Sequence, residues 1–166
     1  LDVDGVDIVT ASDPSVNASD GAILAGFTAD IEFDVVDDAN AVVAEVAASG
    51  FGPGGLDEAN TVVVSGGDVD TGEAAAIQSI SGYEGSASDY DITDNAAALI
   101  SAGDGVLDVD GVDIVTASDP SVNANIGGVL AGFTADIEFD VVDTANAVVA
   151  EVAAVSYTHL TLPTNG

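Results

Sequence analysis

Residues 33–47 read FDVVDDANAVVAEVA, and residues 139–153 read FDVVDTANAVVAEVA. In the first part of each stretch apolar and acidic residues alternate, so Phe33 and Val35 would face a core while Asp34 faces water. This alternation predicts a β-strand. The second part is rich in alanine and places its valines at helical spacing, which predicts an α-helix. The stretch therefore predicts a strand that runs directly into a helix.

The same order recurs along the chain. TVVVSGGD at 61–68 and VDIVTASD at 112–119 predict further strands, and YDITDNAAALIS at 90–101 repeats the strand–helix junction. Successive strands joined by helices are expected to be parallel. We therefore predict an α/β fold, an open repeat solenoid of alternating parallel strands and short helices. The alternatives are a compact doubly wound α/β domain and tandem β-sandwiches, the latter requiring the alanine-rich segments to be strands.

Two long segments of the chain are near-identical. Residues 1–48 and 107–154 differ only at positions 19, 20, 22, 23 and 38 of the first copy, so 43 of 48 residues match at an offset of 106. This long unit divides again into units of about 53 residues, within the range of known repeat proteins. We therefore predict one tandem repeat array over residues 1–154.

An aspartate stands at each strand–helix junction. Asp37, Asp94 and Asp143 follow the apolar part of a predicted strand and precede an alanine-rich segment. A carboxylate at this place can accept hydrogen bonds from the free backbone N–H groups of a helix start. We predict that these three residues are the N-caps of the helices that follow them.

The charge of the chain has one sign. The sequence contains 30 Asp and Glu, no Lys or Arg, one His and no Cys, and its formal net charge is −30. Its high content of Ala, Val, Ile and Leu nevertheless predicts a folded core rather than a disordered chain. Nucleic acid is excluded as a direct partner because it requires basic residues, and no apolar run is long enough to insert in a membrane. We expect divalent cations to bind in place of basic side chains.

Closely spaced acids around a glycine suggest a metal site. LDVDGVD at 107–113 recurs at 1–7, and GGDVDTGE at 66–73 is a third version. Calcium prefers several oxygen ligands from a flexible loop. The predicted calcium ligands are Asp2, Asp4, Asp7, Asp68, Asp70, Glu73, Asp108, Asp110 and Asp113. The alternative is a simple Asp-Gly turn that leads into a strand, with its carboxylates solvated.

A second acidic arrangement depends on how the strands stack. If equivalent strands lie side by side, Asp34, Asp91 and Asp140 form a row of carboxylates. Only cations or protonation can relieve the repulsion between them. If other strands intervene, the three acids are separated. For catalysis the chain offers no nucleophile–histidine arrangement, phosphate loop or dinucleotide fingerprint, so we predict that it is not an enzyme.

The repeats resemble those of a known class of proteins. YDITDNAAALIS, EFDVVDDANAVVAE and VDIVTASD are similar to repeats in very large secreted bacterial adhesins, surface-layer proteins and repeats-in-toxin polypeptides, many of them marine. The resemblance covers residues 1–154 and implies an extracellular or cell-surface array whose partners are neighbouring repeats of the same polypeptide. The G-G-x-G-x-D motif that binds calcium in toxin repeats is absent, so that site is not carried over.

The end of the chain does not follow the repeat. In the first copy AEVAA continues as SGFGPGG, whereas after Ala154 the chain reads VSYTHLTLPT, with the only histidine at His159. Residues 155–164 resemble a translated transposase adapter from a sequencing library. We expect residues 155–166 to be non-native, the sequence to be a metagenomic fragment, and His159 to have no role.

Together these observations predict a structural repeat segment of a secreted bacterial surface or adhesin-like protein, stiffened by Ca²⁺. One alternative is a glycan- or ligand-binding repeat module. The other is an acidic extracellular domain adapted to high salt, without specific metal sites.

Overall fold

The computed structural model describes residues 9–10, 15–27, 31–48 and 54–158 of the chain. The strands are β1 (Val9–Thr10), β2 (Ile31–Glu32), β3 (Asp34–Asp37), β4 (Thr61–Val69), β5 (Asp89–Asp94), β6 (Val112–Ala117) and β7 (Ile137–Glu138). The α-helices are α1 (Ala18–Ala25), α2 (Ala39–Ala48), α3 (Thr71–Gln78), α4 (Ala96–Ala102), α5 (Asp104–Leu107), α6 (Ala124–Leu130) and α7 (Ala145–Thr158). Short 3-10 turns occupy Gly54–Glu58 and Gly85–Ala87.

Strands β3 to β7 form one parallel sheet in which the spatial order equals the chain order, and β1 pairs with β2 in a second, two-stranded parallel sheet. A helix lies between successive strands of the large sheet, and helices of successive strands contact one another. The predicted α/β class is confirmed. The alanine-rich segments are helices, so the β-sandwich alternative is wrong. Among the described strands the order never reverses, as it would in a doubly wound sheet.

The core lies between the sheet and the helices. Val35, Val62, Ile92 and Val115 on the strands are buried, together with residues of helices α1 to α6 such as Ile77. Alternate strand residues are exposed or half-buried, so the opposite sheet face is open to solvent. Within the described residues, every buried side-chain nitrogen or oxygen has a hydrogen-bond partner.

The helices bury their apolar residues to different extents. Val42 and Val46 of α2 are buried, as the helical spacing of the valines predicts, and so is Ile77 of α3. In α1, however, Ile23 is exposed, as is Phe27 just after the helix, and α1 buries Ala18 and Gly21 instead. The reason is the tight packing of α1 against the turn Gly54–Glu58, which only small side chains permit.

The two sequence copies fold alike. A backbone bridge joins Val16 to Val35 in the first copy, and the equivalent bridge joins Val122 to Val141 in the second. Helices α1 and α6 begin at equivalent residues, as do α2 and α7. Helix α7 continues through residues 155–158, and His159 lies outside the described residues. We call a strand with its following helix a coil.

Candidate functional site: aspartates between coils, acidic loops and the end groove

In the described part of the chain, four aspartates connect successive coils. Each accepts, through Oδ2, a hydrogen bond from the first backbone N–H of the helix in the preceding coil. The pairs, with N···O distances, are Asp37 and Ala18 (3.0 Å), Asp94 and Thr71 (3.3 Å), Asp119 and Ala96 (2.6 Å), and Asp143 and Ala124 (3.1 Å). We call these four residues the inter-coil aspartates. Each places a negative charge at the positive end of a helix dipole.

The predicted N-cap assignment of Asp37, Asp94 and Asp143 needs a correction. Asn95, not Asp94, is the N-cap of α4, and its side chain accepts a hydrogen bond from the backbone N–H of Ala98. Asp38 and Thr144 likewise bond the third N–H of α2 and α7. At the junction before α4, Asp94 at the end of β5 bonds the preceding coil, and Asn95 has the extended backbone that a cap requires.

In the described helices the other N-caps whose side chains accept a backbone hydrogen bond are Asn17, Asp70 and Asn123, and none of them is predicted as a cap from the sequence. Asp119 was also missed, because three residues separate it from the cap Asn123 of the next helix. The sequence does contain a pattern that marks both kinds of hydrogen-bond acceptor. At three junctions an Asp is followed by Asp, Asn or Thr and then by Ala, as in DDA, DNA and DTA. The first residue accepts a bond from the helix of the previous coil, and the second accepts one from the helix that follows it.

The hydrogen bonds of the inter-coil aspartates change their acidity. Partial burial acts to raise the pKa of Asp94, but bonds from the Thr71 hydroxyl and from the backbone N–H groups of Asn95 and Thr71 outweigh it. The pKa of Asp94 therefore lies below the ordinary value of 3.8. Backbone N–H bonds from Ala124 and Thr144 lower the pKa of Asp143 in the same way. Both carboxylates stay charged at neutral pH.

The loop of Asp108, Asp110 and Asp113 forms an Asp-Gly turn before β6. Gly111 has φ +100°, and a Cβ there would run into the Tyr83 hydroxyl and come within 2.9 Å of the Ser88 Cβ. The Tyr83 hydroxyl donates to the Asp110 carbonyl at 2.8 Å, which anchors the turn. Burial and the neighbouring Tyr90 raise the pKa of Tyr83. The carboxylates of all three aspartates are exposed.

The second predicted calcium loop serves a helix start. Asp70 accepts a bond from the Glu73 backbone N–H (2.8 Å), and the Glu73 carboxylate accepts one from the Asp70 N–H (3.0 Å). This reciprocal capping box fixes the first turn of α3. Asp68 is exposed on β4, just after the irregularity at Gly66 and Gly67. Two of the three predicted ligands thus have a structural role of their own.

Calcium binding remains a prediction. In the part of the chain that the structure describes, no three acidic side chains converge in a way that could hold a metal ion. Asp2, Asp4 and Asp7, the predicted ligands of the first copy, lie outside the described residues. The arrangement that is present can accept N–H bonds and attract cations diffusely.

The row of Asp34, Asp91 and Asp140 does not form, because β4 lies between β3 and β5, and β6 lies between β5 and β7. Asp34 pairs with Thr61, whose hydroxyl donates to it at 2.9 Å. Asp91 instead pairs with Asp68 on the adjacent strand. The two carboxylates of this pair repel each other on the open sheet face.

An apolar groove lies at the C-terminal end, between α6 and α7. It is lined by Gly127, Ala131, Phe139, Val141, Val148 and Val152 and has a volume of about 350 Å³. The equivalent space between α1 and α2 is filled by the turn Gly54–Glu58. We call the open space the C-terminal groove.

No family model, curated protein or solved structure matches this chain. Among the described residues, no helix is both long and apolar enough to cross a membrane.

Proposed function

We propose that the chain is a segment of an open solenoid that serves as a structural repeat of a secreted bacterial surface or adhesin-like protein. The observation that carries this proposal is the recurrence of the same inter-coil contacts at the 106-residue offset. Asp37 bonds Ala18 as Asp143 bonds Ala124. Contacts that repeat with the sequence can be extended by further copies, whereas those of a closed domain cannot.

A stalk or adhesive array requires that neighbouring units keep a fixed spacing. Parallel strands in chain order, helices that contact the next helix, and one inter-coil aspartate at several junctions support such a role. An extracellular or cell-surface location is supported by the resemblance of the repeats to those of secreted adhesins. The high negative charge supports cations, calcium among them, as partners of the array.

The experiment that tests the array compares chains with one, two and three copies of residues 1–106 by small-angle X-ray scattering in high salt. In an open solenoid the maximum dimension grows in proportion to copy number. A compact fold would increase its radius of gyration only about 1.3-fold when its length doubles. A compact radius for the longest chain would refute the array, whatever its calcium dependence.

A further inference from the structure

The turn Gly54–Glu58 fills the space between α1 and α2 that is equivalent to the C-terminal groove. We call this turn the plug. Leu56 is fully buried, and its side chain lies near Gly21 of α1. Gly55 approaches α1 so closely that a Cβ on it would come within 3.0 Å of the Ala22 Cα. After the turn, β4 pairs with β3, with Thr61 opposite Asp34 and Val64 opposite Asp37. The turn and the strand together cover the first copy.

The second copy has the same groove without the plug. Val35 is 0% exposed, but its equivalent Val141 is 43% exposed. Val46 is 6% exposed, and its equivalent Val152 is 61% exposed. The groove residues Gly21, Phe33 and Val35 recur unchanged in the second copy, with the same close approach of the phenyl ring to the glycine. Of the residues that line the groove only Gly128 differs from its equivalent, Ala22. The exposure of Val141 and Val152 therefore follows from the lack of a covering segment among the described residues.

We propose that the C-terminal groove is a docking site for a segment with the sequence of residues 54–69. The leucine of that segment would occupy the space over Gly127, and its glycine pair would lie against α6. Its strand would extend the sheet at residues 140–143, in the register that β4 has on β3. This inference rests on the proposed array and names the contact by which one unit accepts the next.

The glycine pair that precedes the leucine of the plug gives the site its selectivity. In the first copy Gly55 lies against Ala22 and Ala25, whose equivalents are Gly128 and Ala131, so only a segment without a side chain at the Gly55 position can approach α6. Glu151 lies directly over Gly128 and has to move aside when the segment docks. Because both partners are acidic, docking is favoured when salt screens their repulsion.

The test uses the full chain and a fluorescently labelled peptide with the sequence of residues 54–69, in molar NaCl. We expect saturable binding by anisotropy and methyl NMR shifts at Val141, Val148 and Val152. A peptide with Leu56→Asp should bind about tenfold or more weakly, because the buried leucine supplies most of the apolar contact. A peptide with Gly55→Val should fail in the same way, because its side chain meets the helix.

Two variants of the chain give a matched pair. Val152→Asp places a charge in the groove and should abolish binding. Val149→Asp adds the same charge to the same helix, at a residue that is 68% exposed and outside the groove, and should leave binding unchanged. Both wild-type side chains are exposed, so neither variant should unfold the protein.

Three results would overturn the docking site. They are the absence of saturable binding, equal binding of the Leu56→Asp peptide, and self-association of the chain through this groove that the peptide does not displace. Each would leave the scattering test of the array unaffected, so failure of the docking site is distinguishable from failure of the proposed function.

Discussion

At the scale of single residues, this protein uses backbone N–H groups where other proteins use Lys and Arg. The sequence has 30 acidic residues and no Lys or Arg. The remaining fixed positive poles are the starts of helices, where free N–H groups gather. The inter-coil aspartates lie at these poles, so each one joins two coils and offsets part of its own charge.

Removal of one inter-coil aspartate tests this role. Asp94→Ala deletes the acceptor of the Thr71 N–H and hydroxyl and of the Asn95 N–H. We expect a loss of about 1 kcal/mol in the free energy of unfolding, similar to the loss when a helix-capping side chain is removed, because Asp94 also accepts a hydrogen bond from a helix start. Asp89→Ala on the same strand removes the same charge from an exposed residue, and it should be neutral or slightly stabilising. Denaturant melts in constant high salt measure both, and equal losses would contradict the prediction.

The effect of Asp94→Ala on the free energy of unfolding should depend on pH. The pKa of Asp94 is lower in the folded protein than its ordinary value of 3.8, so the folded state binds fewer protons in this range. The stabilisation by Asp94 is therefore complete above that value and is lost as the pH falls through the lowered pKa. We expect the difference between wild type and Asp94→Ala to be constant near neutral pH and to vanish in strong acid. A difference that persists in strong acid would contradict the carboxylate mechanism.

At the scale of elements, the sequence predicted the order of strands and helices because each element has its own periodicity. It did not predict which aspartate bonds which helix, because that depends on the stacking of coils. Asp91 lies opposite Asp68 rather than Asp34, because β4, which carries Asp68, lies between β3 and β5. The plug turn was also missed, since Leu56 is an isolated apolar residue in a glycine-rich stretch and has no periodicity to reveal it.

The Asp-Gly turn before β6 gives a prediction at this scale. Gly111→Ala places a side chain at φ +100° and against Tyr83 and Ser88, so we expect a loss of more than about 1 kcal/mol in stability. Gly105→Ala in α5 meets nothing within 4 Å and improves helix propensity, so it should be neutral or stabilising. Thermal melts of the two variants compare the turn with a tolerant glycine. Equal melting temperatures would show that the turn does not constrain the fold.

At the scale of the whole molecule, the net charge of −30 opposes the compact state, because like charges repel and the chain has no basic side chain to offset them. The capped helix starts offset only a few of these charges. Sodium screens the others over about 8 Å at physiological ionic strength. A calcium ion that binds the folded chain in preference to the unfolded one would add stability by mass action. Screening by sodium and specific binding of calcium can therefore be measured separately.

We predict that thermal stability rises more steeply with millimolar calcium than with sodium at the same ionic strength, and falls on chelation. If the Asp-Gly loops bind calcium, the double variant Asp4→Asn, Asp110→Asn should weaken the calcium response and leave the sodium response intact. The double variant Glu32→Gln, Glu138→Gln is the matched control. It removes the same charge, one exposed side chain from each copy, and should retain the calcium response. Identical melting curves in calcium and sodium would exclude specific sites, and stability would then depend on diffuse screening alone.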